Sequence, residues 1–164
     1  MQRTGCFSLI LAVIMIFTCL AAASCGEKAP SYSAELSAAE LAAVADEVLT
    51  DSEKYAAVPE SYINGRMGID VADFESYIVK INVIDEYGIF KVPADGNTNT
   101  AKEAVEDYLA RRVDEWMPEY MPEEFPKVEN ATVKVMGQYV VYCILADDAK
   151  ADVIEALEDM LLGK

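Results

Sequence analysis

Asp95, Asn97, Asn99 and Glu106 stand at positions one, three, five and twelve of the stretch DGNTNTAKEAVE. That is the spacing at which an EF-hand loop gathers oxygen ligands around calcium. Such a loop also needs glycine at its sixth position for a sharp turn, and here that position is Thr100. Lys102 would place a cation inside the ring. Other groups carry a simpler reading as well. Glu123, Glu124 and Glu129 could hold a cation, but loop carboxylates in a run ordinarily form a solvated surface. Asp147 and Asp148 are neighbours at a helix start, where capping accounts for them. Cys143 lies in the most apolar strand, where a thiol lacks the base or positive field that would make it a nucleophile. The chain has no histidine, which removes Ser-His-Asp and Cys-His mechanisms and the commonest metal ligand. No catalytic, cofactor-binding or metal-binding residue is therefore assigned.

Cys25 is different. The chain opens MQRTGCFSLILAVIMIFTCLAAAS, with Arg3 near the start, an apolar run from Phe7 to Leu20, and small residues from Ala21 to Ser24. A positive start, a short apolar core and a small-residue exit read as a secretory signal peptide over residues 1–24. Small residues before a cysteine at the end of such a run resemble the lipobox of bacterial lipoproteins. The resemblance implies that Cys25 receives a diacylglycerol and becomes the first mature residue. Ala22 stands where leucine is more usual in that motif. Cys19 follows bulky Phe17 and Thr18, and Cys6 precedes the apolar core, so both are expected to leave with the signal. Residues 25–36, CGEKAPSYSAEL, are small and polar and read as a flexible tether.

Cleavage before Cys25 leaves 164 − 24 = 140 residues, the length of one domain. All 29 acidic residues and 12 of the 13 basic ones remain, a side-chain charge of 12 − 29 = −17. So acidic a chain repels nucleic acid phosphate and anionic headgroups. Only Cys143 remains after Cys25, so the domain has no internal disulfide and rests on its core.

The elements follow from spacing. Ser37 and Glu40 form a capping box, with Leu36 and Leu41 as a staple, ahead of a helix carrying Leu41, Val44 and Val48. Asp70 is placed to cap a turn at Val71 to Phe74. SYIVKINV alternates as a strand, DEYG is read as its turn, and YGIFKVP as the return. Thr100 and Glu103 form a second capping box before a helix with Val105, Tyr108, Leu109 and Trp116 on its apolar stripe. Pro118 stops it. ATVKVMGQYVVYCIL reads as a hairpin turning at Gly137–Gln138, and a last helix buries Val153, Ile154, Leu157 and Leu161 before Gly163. Two β-hairpin–helix units (ββαββα) after an N-terminal helix give an α+β fold over residues 37–164. The expectation is a four-stranded antiparallel sheet, with both long helices on one face and the N-terminal segment over the other, in a monomer.

GIDVADFESYIVKI, EYGIFKV and VENATVKVMGQYVVYCILADDA, in that order behind a lipobox, resemble the bacterial lipoproteins of domain-of-unknown-function family 4358. These are mostly proteins of Gram-positive anaerobes. The resemblance runs over roughly residues 37 to 162 and includes the order of elements; the proline-rich MPEYMP departs from it. It implies no activity and transfers no site residue. The expectation is a lipid-anchored protein on the extracytoplasmic face of the cell membrane that binds an envelope protein or ligand without catalysis. The alternative is a small hydrolase of envelope glycans working through two carboxylates.

Overall fold

The structure is a computed structural model that describes residues 30–164. Cys25, the expected signal segment and the first part of the expected tether lie outside the described residues. Helix α1, Ala38–Val48, begins on the expected capping box: Ser37 accepts from the Glu40 N–H, and Glu40 accepts from the Ser37 N–H. A two-residue strand β1, Ala56–Ala57, follows, then a short helix α2, Glu60–Tyr62, which runs into a π-turn at Ile63–Met67. Asp70 caps a 3-10 turn at Val71–Asp73 by accepting from the Ala72 N–H. Strands β2, Ser76–Asn82, and β3, Asp85–Lys91, form the first hairpin. Helix α3, Thr98–Asp114, and a short helix α4, Phe125–Glu129, lead to the second hairpin, β4, Thr132–Met136, and β5, Tyr139–Ile144. Helix α5, Asp147–Leu162, ends on Gly163 at φ 71°.

The fold is α+β, with one antiparallel sheet of five strands in the order β1-β2-β3-β5-β4. The expected count was four, and the plain ββαββα plan is not matched. The extra strand is Ala56–Ala57, which pairs with Ile81 and Lys80 at the β2 edge. Two alanines before a proline carry no alternating pattern, so pairing of the backbone alone recruits them.

Both faces of the central strands are buried, and this corrects the expected layering. On one face Tyr87, Ile89, Tyr139, Val141 and Cys143 pack beneath α1 and α5, through Leu41, Ala42, Val153, Leu157 and Leu161. On the other, Phe90, Val140, Tyr142 and Ile144 pack beneath α3 and the Ile63–Val71 segment, through Val105, Tyr108, Leu109 and Met67. The two long helices thus cover opposite faces. The apolar strip Val140–Tyr142–Ile144 is covered mainly by α3, and α1 goes to the other side. Strands buried on both faces lose the alternation that would have assigned the helices to faces. Burial, only partly offset by the Lys150 charge, pushes the Cys143 thiol up to about 12, which keeps it protonated and inert.

Three helix and turn boundaries also move. Helix α3 starts at Thr98, and its cap is Asn97, accepting from the Asn99 N–H at 2.9 Å; Thr100 and Glu103 lie inside the helix. Helix α5 is preceded by Ala146, without a side-chain cap. The first hairpin turns at Val83–Ile84, so the DEYG residues belong to β3.

The described part of the tether is docked. Ser33 N–H donates to Leu161 C=O at 2.8 Å, the Tyr32 hydroxyl donates to Glu158 at 2.6 Å, and Tyr139 donates to Leu36 C=O at 2.7 Å. A Cβ at Gly137 would sit 3.0 Å from the Tyr32 Cβ. The chain therefore joins the domain at the end of the sheet where β4 turns into β5.

Candidate functional site

Moving the turn to Val83–Ile84 has a chemical consequence. Glu86 lies in mid-sheet, paired with Ile81 and Ile144, and is fully buried. A lone buried carboxylate is very costly, and such groups persist only when paired and hydrogen-bonded. Tyr142 donates to it at 2.5 Å, Tyr108 at 2.8 Å, and the Arg112 guanidinium stands 3.3 Å away. Two of these partners come from α3 and one from β5. Gly88 makes room for the arrangement: a Cβ there would meet the Tyr142 ring at 2.2 Å. Burial pushes the Glu86 carboxyl above its usual range, while the Tyr142 hydrogen bond and the Arg112 charge pull it back. The sequence reading treated Glu86 as a turn residue. Tyr108 and Arg112, one helical turn apart, were the available signal.

A raised carboxyl is the chemistry of a general acid, but a glycosidase needs a second carboxylate across a cleft about 5–10 Å wide. Glu86 is sealed beneath α3 and lines none of the grooves described here. Its geometry is that of a polar clamp between helix and sheet.

The exposed chemistry gathers at the end of the sheet where β2 turns into β3. Of five exposed large apolar side chains among the described residues, three are here: Val83 at 72 %, Met117 at 64 % and Tyr120 at 48 %. Pro118 ends the helical path after Trp116, and Pro126 sits in the first turn of α4. Between them the Trp116 ring lies 5.9 Å from Tyr120 and 5.7 Å from Phe125. Val113, Trp116, Pro118, Pro122 and Phe125 line a cleft of about 180 Å³. Beside it, Val83, Met121, Asp85 and Lys127 line a second hollow of about 250 Å³. Lys127 bridges Asp85 and Glu124 at 2.7 Å each, tying the connector to the hairpin.

This end is also where local rules are broken. Val83 has φ 59° and Met121 has φ 44°. A β-branched residue in that region is strained. The Trp116 Nε1 is buried with no hydrogen-bond partner. A larger groove of about 420 Å³ runs past Asp70, Phe74, Asn97 and Thr100. It has neither an exposed large apolar side chain nor an orphaned donor, and Asp70 and Asn97 are engaged as caps. Among the described residues no three acidic or cysteine side chains come together as a metal site. Asp95 and Asn99 serve the loop and helix start, while Glu123, Glu124 and Glu129 do not converge.

A family model described as "Domain of unknown function (DUF4358)" matches residues 49–145, more than half of the chain. The chain belongs to this family. The DUF4358 match spans the whole sheet, α3 and the Trp116 connector; it excludes α1 and α5, so it is narrower than the resemblance read from the sequence. No curated protein and no solved structure matches. No helix among the described residues is long and apolar enough to cross a membrane.

Proposed function

We propose that this DUF4358 protein is a lipid-anchored, non-enzymatic binding module on the extracytoplasmic face of a Gram-positive membrane, and that it binds through the Val83–Trp116 end of its sheet. The observation that carries the reading is the coincidence there of exposed apolar side chains, a formed aromatic–proline cleft, an orphaned indole N–H and two strained backbones. Strain persists where a structure is held for function, and an apolar patch rimmed by polar groups marks an interaction site.

The lipid anchor at Cys25 adds a direction. Six Cα–Cα steps lead from Cys25 to Ser31, so at most about 22 Å of chain joins the lipid to the docked residues 31–36, a collar on the domain. The collar lies at the Gly137 end. The Val83 turn lies at the other end of seven-residue strands, roughly 24 Å away. A short leash at one end presents the other end outward.

The anchor is tested by feeding cells an alkyne fatty acid. Wild type should label and Cys25→Ala should not; equal labelling would remove the anchor from the account. The binding surface is tested with a photocrosslinking residue at position 120 or, for comparison, at the exposed Glu155 on α5. Adducts should form from position 120 and not from 155. Equal adducts from both, or none from 120, would overturn the placement.

A further inference from the structure

The carboxylates around the Trp116 cleft divide into two sets. Glu115 is paired with Arg66 at 2.7 Å, and Glu124 with Lys127 at 2.7 Å. Asp114, Glu119 and Glu123 are exposed and have no cationic partner among the described residues. They alternate along the chain with the cleft residues Val113, Trp116, Pro118 and Pro122. The cleft thus offers apolar walls with three uncompensated negative charges beside them, on a chain whose net charge is already −16. Desolvating those charges against a neutral or acidic partner is unfavourable, and a cationic partner removes the penalty and gains long-range attraction. Rigid aromatic and proline walls also bind at small entropic cost.

Resting on the binding reading above, we infer that the occupant of the Trp116 cleft is an extended basic peptide segment of another envelope protein. One apolar side chain of that segment enters the cleft walled by Val113, Trp116, Pro118, Pro122 and Phe125, and flanking lysines or arginines meet Asp114, Glu119 and Glu123. A cleft of about 180 Å³ suits a single leucine- or proline-sized anchor rather than a folded cofactor. The same charges disfavour an anionic membrane surface as occupant.

Trp116 is the sole tryptophan of the chain, so its emission reports on the cleft directly. The probe is a short synthetic peptide with two central leucines between lysine pairs and no aromatic residue. It is compared with a version carrying glutamate for lysine and one carrying serine for leucine. The lysine–leucine peptide should shift Trp116 emission and saturate, and its affinity should fall about tenfold between low and high salt. The glutamate and serine versions should bind at least about tenfold more weakly. An Asp114→Asn, Glu119→Gln, Glu123→Gln protein should lose that salt dependence while its melting curve stays unchanged. Met117→Ser with Tyr120→Ser should weaken the lysine–leucine peptide without removing the salt dependence. If the glutamate peptide binds as well as the lysine one, or the neutralised protein keeps its salt dependence, the cationic assignment is wrong and the binding surface itself stands. If no peptide moves Trp116 emission, the inference fails, and the adducts from position 120 still decide the binding reading separately.

Discussion

The two hairpins of the sheet are built on one plan and filled differently. Each has a two-residue loop, Val83–Ile84 or Gly137–Gln138, and in each the first loop residue has positive φ, 59° and 60°. That is the backbone pattern of a type II′ turn, which favours glycine at its first central position. The β4–β5 hairpin places Gly137 there and continues into a wholly apolar strand. The β2–β3 hairpin places an exposed valine there, and its next strand carries a buried glutamate and the glycine that seats Tyr142. One hairpin follows the rules of sheet construction at every position. The other departs from them where the sheet meets the Trp116 connector, and a departure kept at one end and avoided at the other points to what that end is for.

Removing the buried charge should have the largest effect. Glu86→Ala would leave Arg112 and the Tyr108 and Tyr142 hydroxyls facing a cavity, and breaking a buried pair in this way costs about 3–5 kcal/mol. Urea denaturation measures it. A loss below about 1 kcal/mol would mean that Glu86 does not clamp α3 to the sheet.

Next comes an exchange of the two turns. Gly137→Val puts a branched side chain at φ 60° against Tyr32 and should cost about 1–3 kcal/mol. Val83→Gly relieves the same strain in the other turn and should raise stability, by up to about 1 kcal/mol after the added freedom of the unfolded chain is offset. If both substitutions destabilise alike, the hairpins do not differ in stored strain.

The smallest effect is in pH dependence. Burial holds the folded Glu86 carboxyl above its unfolded value, so the folded state keeps the proton more readily. The associated stability is fully present below the unfolded value and is lost as pH rises through the folded one. Measured against Glu86→Gln, which does not titrate, wild type should gain stability as pH falls from neutral toward the ordinary carboxylate range. The opposite slope would mean that Arg112 and the two tyrosines outweigh burial and favour the anion.

The same contrast governs what the sequence discloses. The capping box at Ser37 and Glu40, the Gly137 turn, the Gly163 stop and the apolar β5 follow local chemistry, and each stands in the structure where its residue types point. Glu86 was misplaced because DEYG is rich in turn formers, whereas the actual turn uses two β-branched residues that no turn preference would select. The faces of α3 and α5 were misassigned because β3 and β5 are buried on both sides. From the sequence the Trp116 cleft shows as a proline-rich departure beside an aromatic residue that its helical spacing assigns to the core, since its walls come from α3, α4 and the loop between them. Its acidic residues read as an ordinary solvated run until Arg66 and Lys127 showed which carboxylates are paired.

On the proposed anchoring, the two ends of the sheet have different jobs, one leashed to the membrane and the other facing outward. Cys143 is buried and, on the proposed anchoring, Cys25 is taken up by lipid, so a single added cysteine can be labelled selectively. Met160→Cys marks the collar end, and Val83→Cys marks the other. With the lipidated protein in vesicles that carry a headgroup quencher, the label at 160 should be strongly quenched and the label at 83 hardly at all. Equal quenching at the two positions, or stronger quenching at 83, would contradict the account.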